Sequence, residues 1–140
     1  MTTPQDRFRD FFTQYARISL GPTPERLADF YDAGFLVGGP RGGAVFHNDA
    51  SFLRWLREVH AFNVASGMTL LTPGRMNETP IGAGYTLVAV EWETTFRKTA
   101  DTIIRFTISY LLRETGAGLK IAAYISPEDQ EDVMRTHGLI

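Results

Sequence analysis

The chain has 140 residues, enough for one domain with its own core, and its 44% hydrophobic and 12% aromatic content offsets the entropy of ordering. Fourteen Lys and Arg oppose sixteen Asp and Glu with the signs interspersed, a formal charge of -2, so there is no basic face for nucleic acid. Cysteine is absent, which excludes disulfides, thiolate catalysis and cysteine-held metal, and no apolar run approaches the roughly 20 residues of a membrane span.

The N-terminal "MTTPQDRFRDFF" is charged by Asp6 and lacks an apolar secretory core, so a cytoplasmic protein is expected. From Asp6 to Leu20 apolar residues fall at Phe8, Phe11, Phe12, Tyr15 and Ile18, one face of an amphipathic helix. Gly21 and Pro22 stop it. Thr23-Pro24-Glu25 reads as a cap with proline at the first helical position, opening a short helix to about Tyr31 that "DAG" ends. "FLV" and "AVF" then read as short strands flanking the glycine-rich "GGPRGG". Asn48 or Asp49 can cap a helix from Ala50 to about Ser66. Its apolar stripe holds Phe52, Leu56, Val59 and Asn63, with Trp55 and Phe62 alongside.

The remainder reads as β, with strands near 68–78, 84–97, 102–113 and 119–126, and a short terminal helix opened by Ser126-Pro127-Glu128-Asp129 and stopped by Gly138. Alternation assigns faces to the two central strands. Val88, Val90, Trp92 and Phe96 share one side, with Ala89, Glu91, Glu93 and Thr95 on the other. Ile104, Phe106, Ile108 and Tyr110 likewise oppose Arg105, Thr107 and Ser109. If "RKTAD" closes a hairpin, Glu93 falls opposite Arg105, and the shared apolar face takes the helices. The amphipathic outer face is then a candidate surface for a homodimer.

Two helices, a short hairpin, a long helix and a long sheet resemble the nuclear transport factor 2-like superfamily, which includes SnoaL-like cyclases and ketosteroid isomerases. The resemblance is carried by "YARISLGPTPERLADFYDAGFLVGG", "NDASFLRWL" and "VAVEWETTF", and spans nearly the whole chain as a single domain, 1–140. It implies an α+β fold, a cone-shaped curved antiparallel sheet wrapped around N-terminal helices, and a concave pocket. It does not imply one chemistry.

Ketosteroid isomerases use a first-helix tyrosine, a carboxylate base just before a proline, and a carboxylic acid on a later strand. Tyr15 matches the tyrosine by position. The base does not carry over, because Gly39 precedes Pro40, and "FTISYLL" offers Thr107, Ser109 and Tyr110 but no carboxylate. The isomerase chemistry is therefore not expected in that form.

Gly38, Gly39, Gly42 and Gly43 match no phosphate-loop spacing, so turn geometry with positive φ is the simpler reading, with Arg41 at the tip. His60, at i+4 from Leu56, is a candidate acid or base, or simply a satisfied edge histidine. His47 beside Asp49 suggests a His-Asp dyad, although helix capping explains Asp49 as well, and His137 near the C-terminus suits a helix dipole. Such scattered histidines do not make a metal site, so no metal or cofactor is expected. Glu91 and Glu93 read as sheet-surface partners of Arg105, and Asp32 as an alternative base at the cone's mouth. Tyr15, Tyr31, Phe35, Trp55, Phe62, Trp92, Phe106 and Tyr110 are all expected to face inward. Together they describe an apolar cavity with a few hydroxyl donors, the usual make-up of a small-molecule site. Tyr15 and His60 are the residues expected to act on a ligand, and Tyr31, Phe35, Trp55, Trp92, Phe106 and Tyr110 to bind it. The competing expectation is a dimeric module without catalysis, its pocket filled by its own side chains.

Overall fold

A computed structural model of the chain describes residues 4–99, 102–128 and 135–136. Helix α1 (Pro4–Leu20) presents Phe8, Phe12, Tyr15 and Ala16 as one buried stripe, as its periodicity requires. A second helical segment, Pro24–Phe30, is 3-10 rather than α, and Thr23 caps it through no side-chain bond. Proline at its start and a length of seven residues suit that tighter helix. It ends where Tyr31 turns extended, so β1 (Tyr31–Gly39) begins well before the "FLV" that marks it in the sequence.

Strand β1 pairs with β2 (Gly42–His47) across the turn at Pro40-Arg41, with Gly39 opposite Gly42. Helix α2 (Ala50–Ala65) follows, capped by the Asp49 carboxylate, which accepts from the backbone N–H groups of Ser51 and Phe52 at 3.0 and 3.2 Å. Three long strands complete the hairpins, β3 (Met68–Gly82), β4 (Tyr85–Phe96) and β5 (Ile104–Thr115), before β6 (Gly118–Ile125). The terminal helix expected beyond Ser126 falls mostly outside the described residues, as does His137.

The six strands form one curved, unclosed sheet in the order β2-β1-β6-β5-β4-β3. All pairs are antiparallel except β1 with β6, which lie parallel because the chain returns to β1 only after α2 and the three long strands. Strand β3 runs to Gly82, past Pro73 and Pro80, because as an edge strand it can leave a proline's missing N–H facing outward. Where its pairing slips between Pro73 and Met76, Arg9 of α1 donates to the carbonyls of Pro73 and Gly74 at 3.0 and 2.7 Å.

The β4–β5 hairpin keeps an unbroken register from Tyr85–Arg113 to Thr94–Ile104. Val88, Val90, Trp92, Thr94 and Phe96 are all buried on the helix side, as alternation expects. Glu93 stands opposite Arg105 on the other side, and the two form an ion pair at 3.0 Å. Among the described residues no helix is long and apolar enough to cross a membrane.

Candidate functional site

The helices do not fill the concave face completely. A cavity of about 120 Å³ remains between α1, the 3-10 segment, α2 and the strands. Helix α1 supplies Tyr15 and, one turn on, Ser19; α2 supplies Trp55, Leu56, Val59, His60 and Asn63. The sheet contributes Tyr31 from β1, Trp92 from β4, Phe106, Ile108 and Tyr110 from β5, and Tyr124 from β6. No Asp, Glu, Lys or Arg lines it.

The polar tips of the aromatic wall are bonded to one another. Tyr15 and Tyr31 share a hydrogen bond of 2.7 Å between their hydroxyls. The Trp92 indole N–H donates to the Tyr110 hydroxyl at 3.0 Å. A phenol carries one hydrogen, so whichever of Tyr15 and Tyr31 donates, the other keeps its own. Tyr110 acts as acceptor in its bond and also keeps its hydrogen. Burial first, then neighbouring phenols, raise the pKa of Tyr15, Tyr31 and Tyr110 above the ordinary tyrosine value. At neutral pH the three therefore keep their hydrogens, and two of these hydrogens take no part in the two bonds just described.

His60 is held differently. Its Nδ1 lies 3.0 Å from the carbonyl oxygen of Ser19. A carbonyl only accepts, so Nδ1 carries the hydrogen, and in the neutral ring the Nε2 lone pair is left to accept a proton. Helix α1 thus positions both ends of the site, through the ring of Tyr15 and the main chain of Ser19, whose own hydroxyl donates back to the Tyr15 carbonyl at 2.9 Å.

Of the residues expected on inward faces, Tyr15, Tyr31, Trp55, Trp92, Phe106 and Tyr110 line the cavity together with His60. Trp55 and Phe62 nevertheless keep 41% and 43% of their surface exposed, because each lies at the margin of the α2 stripe. Phe62 does not line the cavity. Phe35 is buried but packs between Tyr31, Phe46 and Phe52, beside a void of about 10 Å³ rather than in the cavity wall.

Asp32 is not a free base. It accepts from Arg113 Nε and Nη2 at 2.7 and 2.6 Å, and this bond, more than any other influence, holds its carboxyl below the ordinary aspartate range. Asp49 is engaged as a helix cap, so His47 gains no carboxylate from it. Asn48 donates to the carbonyls of Ala28 and Tyr31 at 2.8 and 3.2 Å, fixing the backbone behind Tyr31. Among the described residues no group of three or more His, Asp or Glu is placed to hold a metal ion.

Tyr124, Ser19 and Asn63 are wall residues that the sequence reading did not assign. Tyr124 is instructive. Ala122 is an extra residue in β6, since Leu111 pairs with Ala123 while Leu112 pairs with Ile121. Ile121 and Tyr124, three apart, both turn inward, whereas strict alternation from Ile121 would put Tyr124 outside.

The chain matches the model of a family described as NTF2-like protein (DUF6841) over residues 4–129. No curated protein matches it in sequence. Among solved structures it resembles Aln2 from a Streptomyces species, with 13% identity, a TM-score of 0.71, and 96% of this chain and 99% of that one covered. An NTF-2 like protein of unknown function from Shewanella oneidensis gives 9% identity and a TM-score of 0.68, covering 90% and 100%. A Catenulispora acidiphila hypothetical protein of ketosteroid isomerase-like fold, solved with trimethylamine, gives 17% and 0.58, covering 99% and 96%. At these identities the likeness is one of fold.

Proposed function

The chain belongs to the NTF2-like protein (DUF6841) family, and we propose that it binds a small, neutral, largely apolar molecule bearing a hydrogen-bond acceptor in the cavity beside Tyr15. The observation that carries this reading is that three phenols share only two hydrogen bonds among themselves and Trp92, in a cavity with no charged side chain. A carbonyl oxygen, with two lone pairs and no net charge, can accept from two phenols at once, whereas an anion would meet no cation to offset its desolvation. The geometry also supports a cofactor-independent proton transfer of the isomerase, cyclase or dehydratase kind. A proton α to the carbonyl passes to His60 Nε2, and the electron pair moves onto the carbonyl oxygen, held by the phenols.

Thermal denaturation with cyclohexanone tests the binding, because a ligand selective for the folded state raises the midpoint by mass action. Methylcyclohexane, similar in bulk but lacking the acceptor, is expected to raise it far less. Equal shifts from the two compounds would remove the role given to the phenols, and a Tyr15→Phe protein that binds the ketone unchanged would remove that of Tyr15. Exchange of the ketone's α-protons in deuterated water, followed by NMR and abolished in His60→Gln, is the expected sign of turnover. Binding without exchange leaves a binding protein.

A second reading concerns assembly and rests on the outer face of the sheet. Val45, Leu36, Ala123, Leu111 and Leu87 stand in register across five strands. Val45 is 71% exposed, and Leu36, Leu87 and the adjacent Ile125 are exposed too. Such an apolar row supports a homodimer through this face. Light scattering after size exclusion should then give twice the chain mass, and Leu111→Arg the monomer. A monomeric unaltered protein contradicts it.

A further inference from the structure

The glycine-rich turn between β1 and β2 is only partly explained by turn geometry. Gly42 has φ of +122°, which favours glycine. At Gly43 an added Cβ would meet the Val37 carbonyl at 3.0 Å. Neither reason applies to Gly39. Its φ is not positive, and a Cβ there would only touch the Ser126 carbonyl at an ordinary 3.6 Å. What Gly39 does is line an open groove of about 350 Å³, apolar along Val37, Pro40, Trp55, Val59 and Tyr124 and bordered at its rim by Arg41, Ser126 and Glu128. Trp55, Val59 and Tyr124 also wall the inner cavity, so the two spaces adjoin across these three side chains.

Size divides the labour between them. The inner cavity, at about 120 Å³, is smaller than the ~150 Å³ apolar cavity known to hold benzene, so it accepts no more than about one six-membered ring. A larger ligand has to continue outward, and the way out runs past the half-exposed face of Trp55.

We propose that the groove beneath Gly39 is a second subsite, and that the ligand is a two-part molecule with a carbonyl-bearing head no larger than one ring and a flat apolar tail. The head occupies the phenol-lined cavity, and the tail lies between Trp55 and the turn, in the space a side chain at 39 would fill. This rests on the pocket reading above but is separately testable. Gly39 is then a specificity-determining position, whose missing side chain sets the length of ligand admitted.

Cyclohexanone and 4-phenylcyclohexanone serve as head-only and head-plus-tail probes, with affinities measured by calorimetry. The phenyl group is expected to tighten binding about tenfold or more through the apolar surface it buries. Gly39→Leu should remove that gain, leaving cyclohexanone affinity within about twofold, because the substitution reaches the groove and not the cavity. Val59→Ala supplies a second variant should Gly39→Leu fail to fold. It widens the shared wall and should weaken 4-phenylcyclohexanone more than cyclohexanone. If cyclohexanone binds but the phenyl group adds nothing, or if the gain survives in Gly39→Leu, the groove is not a subsite and the pocket reading stands. If neither ketone binds, the pocket reading fails and this inference with it.

Discussion

The concave face of the sheet is packed at one end and hollow at the other, although the same strands build both. At the packed end Phe8, Phe12, Val88, Val90, Leu112 and Ile121 are buried to 5% exposure or less, and none carries a polar side-chain atom. Trp92, two residues beyond Val90 on β4, and Tyr110, two residues before Leu112 on β5 and opposite Val88, bring polar tips to the same surface. A buried hydroxyl or indole N–H must have a partner, so these rings take orientations that hydrogen bonding dictates rather than those that would fill the space. Tyr15–Tyr31 and Trp92–Tyr110 are the result, two hydrogen-bonded pairs that act as braces in the cavity wall. The hollow thus follows from which aromatic residues were used, not from how many.

Phe12 sits at the border and offers the largest test. Fully buried, its ring contacts those of Trp92 and Tyr110 at centroid distances of 6.0 and 4.7 Å. Phe12→Ala should destabilise the protein by about 3–5 kcal/mol in chemical denaturation, since a buried ring leaves a void that neighbours only partly fill. The same change should convert packed end into hollow end, so that the variant admits a two-ring ketone head that the unaltered protein rejects. A loss under about 1 kcal/mol would mean that the border collapses and that the two ends are not distinct.

Next in size is Tyr110→Phe, which tests the braces. The change keeps the ring and leaves the Trp92 N–H buried without its acceptor, an expected loss of about 1–3 kcal/mol by the same measurement. A neutral outcome would indicate that water enters and bonds the indole, and that the walls need no brace.

How far this division is legible in the sequence depends on register. Along β4 and β5 simple alternation places every inward residue, including Trp92 and Tyr110, because nothing interrupts the pairing. Along β6 and β1 it fails. The extra Ala122 resets the phase and hides Tyr124, and the shift between Tyr31 and Leu36 conceals where β1 begins. Bulges leave no mark in composition, so no pattern count recovers them. Helix periodicity finds the α2 stripe but not its margin, which is why Trp55 reads as core while it stands half in solvent. Gly39 marks the absent carboxylate in the sequence, whereas its place on a groove comes only from the fold.

Each end is also tied from outside by an ion pair, and the two differ in strength. Behind the packed end, Asp32 on β1 reaches across β6 to Arg113 on β5 with two short bonds, its side chain 17% exposed. Asp32→Asn should destabilise by about 1 kcal/mol, at the upper end for a partly exposed pair. The sign with pH follows from the lowered carboxyl pKa. The folded state binds this proton less readily than the unfolded chain, so the contribution is complete above the ordinary aspartate value of about 3.9 and fades as the pH falls below it. Melts of both proteins from pH 7 to pH 2 should therefore converge at the acid end. A gap that stays constant would show that Asp32 acts through packing and not through its charge.

Behind the hollow end lies the weaker tie, Glu93 with Arg105 at 3.0 Å, their side chains 30% and 53% exposed. A double-mutant cycle with Glu93→Gln and Arg105→Gln should give a coupling of only about 0.2–1 kcal/mol, since water and side-chain entropy offset most of the attraction. Salt screens such an exposed pair, so raising ionic strength from 0.01 to 1 M, a Debye length falling from about 30 to 3 Å, should remove most of that coupling. The same salt should leave the Asp32–Arg113 coupling larger, because that carboxylate is better shielded. Equal salt sensitivity at the two pairs would mean that both ends of the sheet are equally wet outside, and the difference between packed and hollow would then belong to the concave face alone.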